Sequence, residues 1–183
     1  MIRYYPGSKV EATHLREGGS KQLFDGIFVT GGITLSQLCT LSGLETHMVQ
    51  NWVKRGFLSP PVKRLYSRQQ LARVFIINML RETMQIDRIC GLIHIIRGEE
   101  ADPTDDLIGD EELYHCYADM LAGGIDTIAP KQVEELANKA AMKLHERIPG
   151  TRDTLGGLLQ VMYFAHMAAK LRDKAEQRLR LLE

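Results

Sequence analysis

The chain has 183 residues, of which 44% are hydrophobic and 25% charged, ordinary proportions for a globular protein that exclude wholesale disorder. Lys and Arg number 23, as do Asp and Glu, so the formal net charge is zero, and on its face that argues against a dedicated nucleic-acid binder. No apolar run approaches the ~20 residues that span a bilayer. The N-terminal run MIRYYPGSKVEATHLREGG lacks the apolar core of a secretory signal. Cys39, Cys90 and Cys116 lie far apart with no CxxC, which fits a reducing compartment better than a disulfide framework or a closed zinc site. The expected location is the cytoplasm.

Residues 1–33 carry Gly18-Gly19, Gly26 and Gly31-Gly32 and read as an irregular arm, with one short polar helix between Ser8 and Arg16. Thr34-Leu35-Ser36-Gln37 has the form of a capping box, and Leu35, Leu38 and Leu41 follow at helical spacing. Ser42-Gly43 stops that helix after two turns. A second helix is expected over 46–55, with Val49, Trp52 and Val53 inward and Gly56 as its stop. Two short helices around a tight Ser-Gly turn form a helix-turn-helix candidate.

Pro60-Pro61 forces an extended segment, and Val62 to Tyr66 alternates as a very short hairpin would. Ser67-Arg68-Gln69-Gln70 is a second capping box, opening a helix with Leu71, Val74, Phe75, Asn78 and Met79 on its stripe. Another helix runs from about Ile86 to Arg97. The acidic stretch to Gly109 reads as a loop, and Asp110 as the cap of a helix ending at Gly123-Gly124. Pro130 suits the first turn of the next helix, which Pro149-Gly150 should break. Thr151 or Asp153 is expected to cap a last helix reaching toward Leu182. The fold class expected is mainly α, in three parts: the arm at 1–33, the winged helix-turn-helix at 34–97 and an all-helical C-terminal region at 98–183.

The net charge hides an asymmetry. From Thr46 to Arg81 there are seven basic residues and no acid: Lys54, Arg55, Lys63, Arg64, Arg68, Arg73 and Arg81. From Gly98 to Pro130 there are ten acids and no Lys or Arg. A recognition helix must offer polar tips to base edges from its N-terminal half. Gln and Asn can bond adenine bidentately, and Lys can reach guanine or phosphate. His47, Gln50 and Asn51 are therefore the candidates for base contact. Thr46, Lys54, Arg55, Lys63, Arg64 and Arg68 are the candidates for phosphate contact.

The run from Ile33 to Ile96 resembles the DNA-binding domain of the MerR family of transcriptional regulators. The resemblance rests on Gly56-Phe57-Leu58, Pro60-Pro61 and Arg64-Leu65-Tyr66-Ser67. A closer resemblance, over roughly 34–120, is to the bacterial family called domain of unknown function 1836. Its carriers are Gln50-Asn51-Trp52-Val53-Lys54-Arg55-Gly56, Ile76 to Leu80, Met84-Gln85-Ile86, Asp105 to Ile108 and Glu112-Leu113-Tyr114. The MerR resemblance implies a sequence-specific regulator bound to double-stranded DNA, working as a homodimer through C-terminal helices. The chain departs from it: His47, Gln50, Asn51 and Trp52 stand where MerR proteins carry arginines and paired tyrosines, the wing is shorter, and Glu45 stands at the usual small cap.

The stripe Leu155, Leu158, Leu159, Met162, Ala165, His166 and Ala169 serves dimerisation or packing against 131–148 equally well. No phosphate loop, nucleotide fingerprint or nucleophile elbow is present. No metal, cofactor or catalytic activity is expected, and His115, Cys116, His145 and His166 lack the spacing of a metal site. The alternative function is a protein-interaction module on the same fold, its acidic block docking a basic partner.

Overall fold

Helix dominates the computed structural model, which describes residues 3–12, 15–97, 108–124, 128–146 and 148–182. A two-residue antiparallel hairpin comes first, β1 (Arg3–Tyr4) paired with β2 (Glu11–Ala12). Helices follow in order: α1 (Gly19–Ile27), α2 (Leu35–Ser42), α3 (Thr46–Lys54), α4 (Arg68–Leu80), α5 (Ile86–Arg97), α6 (Asp110–Ala122), α7 (Pro130–Ala141) and α8 (Thr151–Arg180). No helix among the described residues is long and apolar enough to cross a membrane.

The architecture is organised around α4. Its residues Leu71, Ala72, Val74, Phe75, Ile76, Ile77, Met79 and Leu80 are all buried, so apolar side chains cover almost its whole circumference. A helix that is hydrophobic all round belongs in the middle of a protein. Helices α2, α5, α6 and α8 all pack on it, and α7 packs on α6 and α8. Phe75 of α4, Phe24 of α1 and Tyr114 of α6 meet ring to ring, with centroids 5.4 to 6.0 Å apart.

The arm before residue 34 is not irregular, and the helix expected between Ser8 and Arg16 is absent: Glu11–Ala12 is strand, with residues 13 and 14 outside the description. The helix forms later, at Gly19–Ile27, and buries Phe24 completely. The cause is Pro6-Gly7, which turns the chain into the hairpin. Gly7 sits at φ 68°, and a Cβ there would run into the Phe75 carbonyl. Asn78 of α4 clamps the turn by donating from Nδ2 to the carbonyls of Gly7 and Ser42, each at 2.9 Å. Tyr114 donates its hydroxyl to the Pro6 carbonyl at 3.0 Å.

Both capping boxes form as the sequence specifies. Gln37 N–H donates to Thr34 Oγ1 at 3.3 Å, while Thr34 N–H donates to Gln37 Oε1 at 2.8 Å. The Ser67–Gln70 pair repeats the geometry, and Gln70 Nε2 also donates to the Ser59 and Pro60 carbonyls. Elsewhere the caps differ. Asp110 is the first helical residue of α6 rather than its cap, because its carboxylate is drawn down to Arg73. Gly109 holds the cap position. Gly150, at φ 87°, caps α8 in place of Thr151 or Asp153; the Thr151 hydroxyl donates instead to the Ile148 carbonyl.

Helix α7 ends at Ala141, well before Pro149. Tight turns at Lys143 and Leu144 close it, and Arg152 donates from Nε and Nη2 to the Leu144 carbonyl. Helix α8 is 30 residues long, about 45 Å. Its stripe of Leu155, Leu158, Leu159, Met162 and Ala169 is buried inside the chain, chiefly against α7. From Lys170 to its end at Arg180 the helix is exposed along its whole circumference.

Candidate nucleic-acid interface

The joint between α2 and α3 is built from backbone economy. Gly43 at φ 72° ends α2, its N–H bonding the Cys39 carbonyl at 2.8 Å, and Leu44 drops into the core. Three residues later α3 begins. At its far end Gly56 adopts φ 79° while Gly56 N–H and Phe57 N–H close on the Val53 and Trp52 carbonyls. That is a Schellman motif, which frees the chain to leave the helix sharply.

Helix α3 has two opposed faces. Val49 and Trp52 are buried, with Met48 and Val53 half-buried beside them. His47, Gln50, Asn51 and Lys54 are exposed and recur at intervals of three and four, so they share the opposite face. Three candidate base readers are thus brought together with one candidate phosphate contact. Thr46 is also exposed, with its hydroxyl 3.9 Å from Cys39 Sγ on α2. Arg55 lays its guanidinium over the Phe57 ring, 4.6 Å from the centroid.

Glu45 precedes the helix. Its backbone is extended, as a cap residue requires, yet its carboxylate makes no capping bond. It reaches His47 Nδ1 at 3.1 Å instead.

Lys63 and Arg64 form the tip of a hairpin closed by Val62 and Leu65, whose N–H and carbonyl groups pair at 3.1 and 2.9 Å. Tyr66 then bridges to Ile33. Lys63 has φ 50° and Arg64 φ 67°, the sign pattern of a type I′ turn. Glycine or asparagine normally fills such positions, because a Cβ in the left-handed region costs roughly 1–2 kcal/mol per residue. Two exposed cations stand at this tip despite that cost.

The seven basic residues separate into two groups. Arg68 bonds Glu111 and Asp25, each at 2.8 Å. Burial works against its charge, but the two carboxylates outweigh burial and raise its pKa above the ordinary arginine value. Arg73 pairs with the nearly buried Asp110 at 2.8 Å, and Arg81 bonds Asn78 Oδ1. Among the described residues, Lys54, Arg55, Lys63 and Arg64 make no ion pair, and all four are exposed.

Asp110 and Glu111 therefore meet α4, and Asp119 accepts from the Gly18 N–H at 2.9 Å. Residues 98–107, which include Asp105 and Asp106, lie outside the described residues. Sequence reasoning missed the Arg68–Glu111 and Arg73–Asp110 pairs. Partners 43 and 37 residues apart leave no local signal.

Residues 34–117 match the model of a family described as domain of unknown function 1836. A protein of Bacillus subtilis (strain 168), described as uncharacterized protein YkrK, is 25% identical over 130 residues, 67% of this chain and 56% of the relative. The chain thus spans little more than half of that relative's length. No solved structure matches the chain.

Proposed function

We propose that residues 34–97 are a MerR-like winged helix-turn-helix, and that the protein binds double-stranded DNA sequence-specifically as a cytoplasmic transcriptional regulator without catalytic activity. The carrying observation is the polar face of α3, where His47, Gln50, Asn51 and Lys54 stand exposed opposite the buried Val49 and Trp52. In this reading α3 enters the major groove, His47, Gln50 and Asn51 meet base edges, and Lys54 meets phosphate. The Val62–Leu65 hairpin acts as the wing, and Lys63 and Arg64 neutralise an adjacent phosphate strand. Thr46 and Arg55 flank the helix as further phosphate contacts. Arg68, engaged by two carboxylates, contributes least.

Charge supports this reading over the protein-docking alternative. The described acids at the start of α6 are partly consumed within the chain, while the four cations around α3 and the hairpin have no carboxylate partner among the described residues. Non-specific affinity is salt-dependent, because the exposed Lys54, Arg55, Lys63 and Arg64 displace counterions from the phosphates they meet.

A palindromic site needs two copies. The stripe at 155–169 is largely buried, so the surface for a second copy is Val161, Leu171 and Ala175, an exposed row on α8 at coiled-coil spacing. Selection of random duplexes by the full chain, followed by titration at stated salt, tests the function. Enrichment of a common sequence, lost in the Gln50→Ala/Asn51→Ala double variant, supports it. An unselective chain, or a double variant with every affinity unchanged, refutes base readout by α3.

A further inference from the structure

Resting on the reading of α3 as a DNA-reading helix, we infer that Glu45, held by His47, is a specificity determinant that selects cytosine at one position of the site. Three observations carry this. The Glu45 backbone is in cap geometry, but its side chain leaves the helix amides alone. The carboxylate is 3.1 Å from His47 Nδ1, which sets it beside the first residue of the face that also holds Gln50 and Asn51. Both side chains are about three-quarters exposed, so the pair is open to a ligand rather than built into the core.

A carboxylate accepts hydrogen bonds and donates none. At the N-terminal end of a recognition helix it meets base edges in the major groove. Guanine presents N7 and O6 there and thymine O4, all acceptors that repel it. Adenine sets its amine beside the N7 acceptor. Cytosine presents the N4 amine as a donor. Near phosphate the same carboxylate is only repelled. Glu45 thus lowers affinity for duplexes in general and restores it where a cytosine amine lies within reach. His47 fixes the carboxylate by donating from Nδ1, and its other ring nitrogen remains free to meet a neighbouring base.

The test is random-duplex selection with the full chain as wild type, Glu45→Gln, Glu45→Ala and His47→Ala, then titration of the enriched duplex and its single-base variants. The wild type is expected to enrich one C·G pair per half-site and to lose about tenfold in affinity when that cytosine is replaced. Glu45→Gln is expected to move the preference to adenine, which glutamine can bond bidentately. Glu45→Ala is expected to abolish the preference there and leave the remaining positions selected, and His47→Ala to weaken it. Unchanged selection in both Glu45 variants overturns the inference while leaving α3 as the reader. So does a uniform rise in affinity for every duplex in Glu45→Ala, which makes the residue a repulsive charge only. If the wild type enriches nothing, the reading of α3 falls, and the inference with it.

Discussion

The polar face of α3 with its hairpin, and the seam where α4 meets α6, draw on one acid-free stretch of sequence and put it to opposite uses. At the seam Arg68 and Arg73 are neutralised by Glu111, Asp25 and Asp110, partly or largely out of water. Around α3, Lys54, Arg55, Lys63 and Arg64 stay exposed with no carboxylate partner among the described residues. A run of like charge in a sequence is thus no measure of a charged surface. What matters is which residues the fold supplies with partners from far along the chain.

The comparison breaks most visibly at the seam. Arg73→Ala strands the Asp110 carboxylate, whose side chain is 4% exposed. Removing one member of such a pair costs about 3–5 kcal/mol. Urea unfolding should register that loss. The same substitution at Lys63 should move stability by less than about 0.5 kcal/mol.

On the other side, Gln50→Ala and Asn51→Ala should each cost about 1–3 kcal/mol of specific binding to a selected duplex. Non-specific binding and the melting temperature should scarcely change. Fluorescence anisotropy and thermal melting together check both halves.

Acid should sharpen the contrast. Burial first, then Lys170, lowers the His166 pKa to about 3. Burial also lowers that of His115, against the opposing pull of Glu111. The unfolded chain therefore binds more protons than the folded one below about pH 6.5. The stability these neutral rings contribute is complete above that pH and is lost as pH falls, by up to about 1.4 kcal/mol per pH unit for His166. Denaturant midpoints between pH 7 and 5 should fall, and His166→Gln should flatten the dependence.

The smallest effect is the most telling. Replacing Lys63-Arg64 by Asn-Gly gives the turn residues that suit positive φ and should stabilise the fold by about 1 kcal/mol. It should also weaken binding to all duplexes alike and reduce the salt slope by about 2. Greater stability with unchanged DNA affinity would separate the hairpin from the interface.

The legible parts of the fold were those whose causes lie within four residues. Thr34 with Gln37, Ser67 with Gln70, and the glycines at 43 and 56 each carry their geometry locally. Helix α1 was missed because Gly18, Gly19 and Gly26 weaken its helical signal, while Phe24 earns its place by meeting Phe75 and Tyr114. The cap of α6 was misread because Asp110 is claimed by Arg73. At the interface, the opposed faces of α3 were visible as periodicity. The use of Arg68 within the fold, and the turning of Glu45 toward His47, depend on side-chain placements that spacing does not encode.

Asn78 joins two segments that flank α4: its amide holds the Gly7 turn and the end of α2 together. The opening hairpin is therefore a brace for the helix pair rather than a leader to it. A fragment trimmed to begin at residue 34 would give up Phe24 from the core and one of the two carbonyls that Asn78 serves. Whatever such a fragment did in a reporter assay would describe a loosened α2, not the protein. Tags belong at the far end of α8, where the exposed last turns leave the brace alone.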